Sequence, residues 1–250
     1  MEGFNAAFFN ELDKLRKKKK IFWAALISIL AVIIGQLAIT MIKNGFGLRV
    51  AGGLEFPITV LSIFIYSILP LFTAFVAIDM FCGEFSSNHM KITLARPVSR
   101  LGIFSAKILN IGVFILVNLG FVMVVSLVSG LIFNPSSGNL MSFIKIILAY
   151  ASTMLPVFVL ALLIVFLSNL LKNGLAVFFL SVILYVGMIF LSIVFSSYSS
   201  FFLTSMFDWY TLWISDSPNY MKITRQFLIM VGCSIMFFTA GYALFDKKDL

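Results

Sequence analysis

Charged residues are scarce in this chain of 250 residues. Asp, Glu, Lys and Arg make up 11% of the sequence, whereas 61% is hydrophobic and the mean hydropathy is +1.09. Soluble domains contain about 25% charged residues, so the composition excludes an ordinary soluble globular protein. It predicts an all-α polytopic membrane protein with about six membrane-spanning helices of roughly 20–25 residues each.

The residue types that carry catalysis or bind metals are also few. A single histidine, His89, excludes a His-Glu-x-x-His zinc site and any site with several histidines. No phosphate-binding G-x-x-x-x-G-K-[ST] sequence is present, so the chain is not expected to bind ATP through a P-loop. Two cysteines, Cys82 and Cys233, do not make a disulfide framework. We therefore predict no catalytic residue, no metal site and no cofactor in this chain.

The apolar runs predict six spans that form one transmembrane domain over residues 1–250. The predicted spans are residues 21–42, 56–82, 108–133, 142–171, 175–195 and 227–245. Pro70 and Pro156 lie in the middle of two of these spans, where proline is expected to kink a helix.

The distribution of positive charge predicts the orientation. The net charge of +8 would suggest nucleic-acid binding in a soluble protein, but here the cations lie beside the apolar runs and are topology signals. With the N-terminus inside, 13 Lys and Arg residues fall on inner segments and 5 on outer ones. The positive-inside rule therefore predicts that both termini lie on the cytoplasmic side of the plasma membrane. Because the cations serve as topology signals, we expect no nucleic-acid partner.

Residues 1–20 precede the first span and have an amphipathic pattern. Phe4, Phe8, Leu12 and Leu15 recur at helical spacing, and a basic cluster follows at residues 16–20. We expect Glu11 to lie largely off this apolar stripe. The pattern predicts a helix on the inner leaflet in contact with membrane lipids, although a solvated basic tail is the alternative.

Residues 196–226 form a long aromatic link between the fifth and sixth spans. The segment is too short for two further spans, and its density of aromatic residues suits the membrane interface. We interpret it as a re-entrant helical hairpin, with Phe207, Trp209 and Trp213 as candidate residues of an outer gate. An ordinary outer loop with an aromatic anchor remains the alternative.

The segment between the second and third spans is a basic loop, residues 84–107. Its charges would be costly in hydrocarbon, so it is expected to face the cytosol and to present a surface to a partner. Asp79 precedes this loop near the cytoplasmic end of the second span. We expect Asp79 to pair with Lys91 or Arg96 rather than to serve as a proton relay.

The sequence around this loop resembles the inner loop of permease subunits of ABC-2 type transporters. The resemblance lies in D-M-F-C-G-E at residues 79–84, K-I-T-L-A-R-P-V-S-R at residues 91–100 and A-K at residues 106–107. Residues 88–90, Asn-His-Met, depart from the family, whose members often carry a glycine-bearing turn there. The predicted N-terminal helix, six spans, re-entrant segment and short charged tail also fit the family.

The resemblance implies a machine of several subunits with a type V transporter fold. The permease would pair with a second permease copy or a paralogue in a bacterial cell membrane, and with two cytosolic ATPase subunits that bind ATP and Mg²⁺. Residues 84–107 would form a cytoplasmic coupling helix that enters a cleft of the ATPase. The coupling residues implied in this way are Glu84, Lys91, Leu94, Arg96, Pro97 and Arg100.

The resemblance favours export of an amphipathic or hydrophobic substrate such as a peptide, toxin or antibiotic. On this interpretation the chain is not an enzyme by itself, because ATP is hydrolysed on another chain. A membrane immunity or assembly factor that binds a peptide without pumping it is the main alternative. An intramembrane enzyme is a third class, weakened by the missing catalytic residue sets.

Overall fold

A computed structural model describes residues 2–46, 53–86, 99–133, 140–171, 173–195 and 202–247. Over these ranges the chain is helical and contains no β-strand. The α-helices are α1 (Glu2–Arg16), α2 (Lys19–Phe46), α3 (Phe56–Tyr66), α4 (Ile68–Ser86), α5 (Arg100–Phe133), α6 (Leu140–Leu171), α7 (Gly174–Val194), α8 (Trp209–Ile214) and α9 (Tyr220–Asp246). A 3-10 helix at Leu203–Asp208 leads directly into α8.

Within the part of the chain that is described, α2, α5, α6, α7 and α9 are long and apolar enough to cross a membrane. The helices α3 and α4 pass the same test together and are bent by 49° at their junction. The described ranges therefore contain five such helices, or six spans if the bent pair counts as one. The prediction of an all-helical, multi-pass membrane protein is confirmed.

The bend between α3 and α4 has a local cause. Pro70 has no N–H to donate to the carbonyl of Tyr66, four residues earlier, and its ring crowds that carbonyl. The Tyr66 carbonyl oxygen instead accepts a hydrogen bond from the Tyr185 hydroxyl of α7 at 2.8 Å. The helix therefore breaks before Pro70 and not at it. Pro156, by contrast, lies inside α6, which remains an α-helix throughout.

Two helices begin earlier than the predicted spans. The helix α5 begins at Arg100, so Arg100 and Lys107 are helical, although the sequence placed them in the loop before residue 108. The Ser99 hydroxyl accepts a hydrogen bond from the Gly102 N–H at 3.1 Å and caps this helix. Likewise, α9 begins at Tyr220 and not at residue 227, because the Asn219 side chain caps it. Hydropathy located the apolar part of each helix but missed the polar first turns.

The helix α6 lies at the centre of the bundle and packs against α4, α5, α8 and α9. Most of the apolar window of α6 is buried, whereas only a minor part of that in α2, α7 and α9 is buried. We call the end of the bundle where α1, the start of α2, the end of α4 and the start of α5 meet the basic end. The opposite end, which carries the 3-10 helix and α8, is the aromatic end.

Candidate functional site

At the basic end, α1 is joined to α5 by a buried ion pair. Glu11 Oε2 lies 2.8 Å from Lys107 Nζ, and the two side chains are 4% and 0% exposed. Lys14 Nζ lies 2.6 Å from the other carboxylate oxygen of Glu11. The expectation that Glu11 lies off the apolar stripe is wrong: on a helix it falls between Phe8 and Leu15, on the face that packs against α5.

Hydrogen bonds from side chains of α5 to backbone carbonyl oxygens extend this contact. The Asn110 side-chain amide donates to the Phe8 carbonyl oxygen at 3.1 Å, so a polar side chain of α5 holds α1 in place. Lys107 Nζ also donates to the Met80 carbonyl oxygen of α4 at 3.2 Å. Lys107 therefore links α1, α4 and α5 at one point. Its ammonium is buried, but the Glu11 charge and the carbonyl oxygen compensate for its desolvation.

The charge state of Glu11 follows from these contacts. Burial alone would raise the pKa of this carboxyl group, but the charge of Lys107 and hydrogen bonds from Lys107 and Lys14 outweigh burial and lower the pKa below 4.5. Glu11 is therefore ionised at neutral pH. A buried pair of this kind adds little net stability compared with apolar residues, but it costs much to break, so it fixes the docking position of α1.

A second set of ion pairs joins the α1–α2 junction to the end of α4. Asp79 accepts hydrogen bonds from Lys18 and from Lys20, the latter at 2.7 Å. The sequence predicted a pair with Lys91 or Arg96, both of which lie outside the described residues. The observed partners come from the basic cluster after α1, which the sequence had assigned to the lipid surface alone.

The central part of the basic loop, residues 87–98, is outside the described ranges. Four of the proposed coupling residues lie there: Lys91, Leu94, Arg96 and Pro97. His89 lies there too, and nothing is described for the Glu84 side chain. Arg100 is described: its guanidinium donates to the Asp246 carbonyl oxygen at the end of α9, and its Nη1 is 4.0 Å from an Asp246 carboxylate oxygen. Their roles in coupling remain predictions.

The helices that lead into and out of this loop are thus held by other elements. On the side of α4, Asp79 and Met80 bind lysines of α2, α5 and the α1–α2 junction. On the side of α5, Lys107 and Asn110 bind α1, and Arg100 binds the end of α9. A displacement of the loop would therefore act on several helices at once.

The predicted apolar stripe of α1 is partly buried against α5. Leu15 is buried, and Phe4, Phe8 and Leu12 are half-buried. Phe9, next to the stripe, is 61% exposed, so α1 retains an apolar surface. The placement of α1 on a membrane surface stays a prediction.

The aromatic end contains the three residues predicted to form an outer gate. Phe207 is fully buried, and its ring centroid lies 5.7 Å from that of Tyr66 and 6.1 Å from that of Tyr185. Trp209 is buried and its indole N–H donates to the Ile223 carbonyl oxygen at 3.4 Å, while Trp213 packs edge-on against it at 5.5 Å and is 39% exposed. The three residues lie in two consecutive short helices, the 3-10 helix and α8, and a gating role remains a prediction.

A cavity of about 690 Å³ opens at the basic end between α4 and α7. Its walls are aromatic and aliphatic, and Lys20 and Asp79 supply its charged groups. No group of three or more His, Cys, Asp or Glu side chains that could hold a metal ion occurs within the described ranges.

These helices define a multi-pass membrane protein in which ion pairs hold the helices on both sides of the basic loop to other elements, with no metal-ligand cluster among the described residues. A family model described as "ABC-2 family transporter protein" matches residues 7–187, which run from α1 into α7. The chain therefore belongs to the ABC-2 family of transporter proteins, as its resemblance indicated. Membership implies a role in membrane transport together with ABC ATPase components. A comparison with curated proteins gives no significant match.

Proposed function

We propose that this chain is the membrane-spanning permease subunit of an ATP-driven exporter. Two ATPase subunits on separate chains would bind ATP and Mg²⁺, and a second permease copy or paralogue would complete the transport path. The observation that carries the proposal is the family match over residues 7–187, because it includes the basic loop and both helices that flank it.

The contacts at the basic end support a mechanical role for this loop. An ATPase that closes on residues 84–107 would push on the end of α4 and the start of α5. Glu11 and Lys107 would pass this displacement to α1, and Lys18 and Lys20 would pass it to α2 through Asp79. Packed helices respond to such a push as rigid bodies, which is how two halves of a transporter change between inward-facing and outward-facing states.

The exposed helices support assembly with other subunits and with lipid. Few residues of α2, α7 and α9 are fully buried in the single chain, so these helices keep apolar surface for other contacts. A membrane protein covers such surface with lipid or with another helix. A second permease copy on part of this surface would enclose a path between the two chains.

The cargo that we favour is amphipathic or hydrophobic, such as a peptide, toxin or antibiotic. The lining of a path through this chain would be mainly apolar, since 61% of the residues are hydrophobic. Such a lining would bind an apolar or amphipathic molecule better than a small hydrophilic solute. A non-pumping immunity or assembly factor would use the same apolar surface but would need no ATPase.

The test is to extract the tagged chain gently from its host membrane and to identify the proteins that remain bound. We expect stoichiometric recovery of an ABC ATPase and vanadate-sensitive ATP hydrolysis by the complex. Two ATPase subunits and two permeases per particle would establish the proposed assembly. A chain that purifies alone, without ATPase activity, would contradict the proposal and favour the immunity factor.

A further inference from the structure

The cavity at the basic end has an apolar interior and a charged mouth. The rings of Phe75 on α4 and Phe178 on α7 stack with their centroids 4.9 Å apart, and Phe179 lies beside them. Leu175 and Phe179 are 72% and 62% exposed, so the interior is open along the side of the bundle. A volume of about 690 Å³ is within the range of roughly 300–1,000 Å³ that binds small ligands.

Lys20 and Asp79 line the mouth, and Lys18 binds the same Asp79 carboxylate from outside the cavity lining. Lys18, Lys20 and Asp79 form one ion-paired group with a sum of one positive charge. Asp79 is paired with both lysines, so Lys18 can neutralise it when Lys20 turns towards a ligand. The Lys20 side chain is 57% exposed, which gives its ammonium the freedom to make that turn. One monoanionic group beside Lys20 would neutralise this group of three side chains.

An anionic phospholipid fits both the charged mouth and the apolar interior of the cavity. Its phosphodiester carries one negative charge and accepts hydrogen bonds from an ammonium, and its acyl chain would cover the aromatic walls. A small soluble anion would reach Lys20 but would leave the walls exposed. The basic cluster at residues 16–20 would also attract anionic lipid to this end of the bundle.

We infer that this cavity binds an anionic phospholipid, with the phosphodiester at Lys20 and an acyl chain along Phe75, Phe178 and Phe179. The site is separate from the proposed transport function, since it needs neither ATP nor a cargo. A lipid in this position would contact α2, α4 and α7 together, and so would fasten α7 to the group of helices that surrounds the basic loop.

The experiment is native mass spectrometry of the full chain with the subunits it retains. The protein is equilibrated with phosphatidylglycerol and phosphatidylcholine of identical acyl chains, and the retained lipid is counted. We expect phosphatidylglycerol to be retained about fivefold more than phosphatidylcholine, the effect of one lysine near an anionic headgroup. Equal retention of the two lipids would overturn the inference.

Two matched pairs of variants locate the site. Lys20→Gln should abolish the preference, whereas Lys19→Gln, the same change one residue away and outside the cavity, should preserve it. Leu175→Trp should fill the cavity and reduce retention of phosphatidylglycerol, whereas Ile183→Trp, at a similarly exposed position two turns along α7, should not. If the two variants of either pair changed lipid retention equally, the lipid would be bound to the protein surface in general and not in this cavity. That result would overturn the inference.

A competition experiment distinguishes a lipid site from a site for soluble anions. Glycerol phosphate carries a phosphate group without acyl chains, so an excess should leave phosphatidylglycerol bound. If glycerol phosphate displaces the lipid from the wild-type chain at comparable concentration, the cavity is a site for soluble anions and the lipid assignment is wrong.

Discussion

Glu11 of α1 and Lys107 of α5 form an ion pair with an N–O distance of 2.8 Å, and neither side chain is more than 4% exposed. The two residues are far apart in the sequence, and Lys107 lies two turns after the start of α5, the helix that leaves the basic loop. A buried pair at this position makes α1 part of the same mechanical unit as the helix that leaves the loop. The first prediction tests the strength of this link.

Glu11→Met should lower the free energy of unfolding by about 3–5 kcal/mol, because it leaves the buried Lys107 ammonium without the carboxylate that balances its charge. Lys107→Met should cost less, because Glu11 keeps its ion pair with Lys14. The double Met variant should recover most of this loss, since apolar residues of similar volume often replace a buried pair at little cost. Thermal unfolding of the purified chain in mild detergent measures all four members of this cycle. Additive losses in the double variant would mean that the two charges are not coupled.

The exposed ion pair between Lys145 and Asp216 is the control for this cycle. Its N–O distance is 2.7 Å, but the Asp216 side chain is 96% exposed. The lysine lowers the pKa of Asp216, yet solvent screens the pair, so Asp216→Asn should leave the unfolding midpoint unchanged. A loss as large as that of Glu11→Met would contradict the argument from burial.

The pH dependence of stability should report the ionisation of Glu11. Its pKa in the folded chain is lowered below 4.5, so the stability from its ionised form is present above that value and is lost as the pH falls through the folded pKa. Wild type should therefore exceed Glu11→Gln in stability at about pH 7, and the difference should shrink below pH 4.5. Unfolding midpoints across this range measure it.

Salt provides the check on this interpretation. A buried pair is screened much less than exposed charges, so about 0.5 M salt should change the difference between wild type and Glu11→Gln only slightly. A difference that disappears in salt, or that is constant across the acid range, would mean that the Glu11 carboxylate is not the cause.

The bend in the second span should depend on Pro70 and Tyr185 together. Tyr185→Phe removes the donor to the Tyr66 carbonyl oxygen and should cost about 1 kcal/mol, since a partly buried acceptor loses this hydrogen bond. In a Pro70→Ala background the N–H of residue 70 can donate to the Tyr66 carbonyl oxygen. Tyr185→Phe should therefore lower the free energy of unfolding less in that background than in the wild type. Unfolding midpoints of the four variants test this, and an equal cost in both backgrounds would contradict it.

Sequence reasoning recovered much of the architecture, because hydropathy and proline act locally. The apolar runs predicted the membrane-spanning helices, and Pro70 predicted a bend in the second span. The start of α5 was missed because Arg100 and Lys107 are charged and were read as loop residues. Ser99 caps the helix locally, and the two charges bind partners far away in the sequence, Asp246 and Glu11.

The candidate site was harder to predict, because its contacts join distant segments. Helical geometry alone could have placed Glu11 among Phe8 and Leu15 on one face, and a carboxylate within an apolar stripe is a signal for a buried cation. The choice of Lys107 as that cation was not accessible from one sequence. The pairing of Asp79 with Lys18 and Lys20 likewise depends on how α1 turns into α2.

Substitutions in the basic loop test the proposed contact with an ATPase. Leu94→Asp or Pro97→Asp should raise the Kd for the ATPase subunit about thirtyfold, as expected when an apolar anchor worth about 2 kcal/mol becomes charged. Leu94→Met keeps the apolar volume and should bind nearly as wild type. Co-purification and ATP hydrolysis measure this, and unaltered binding by both charged variants would show that the loop is not the contact.

The close approach of α5 to the chain before α3 should depend on one glycine. A Cβ at Gly130 would lie 2.3 Å from the Gly53 carbonyl oxygen, so Gly130→Ala must displace backbone and should cost about 1–3 kcal/mol. Gly120 on the same helix has nothing within 4 Å of its Cβ position. Gly120→Ala should therefore gain up to about 1 kcal/mol, because alanine favours a helix over glycine. If Gly130→Ala and Gly120→Ala changed the unfolding midpoint in the same direction and by the same amount, the close packing of Gly130 on Gly53 at the aromatic end would be contradicted.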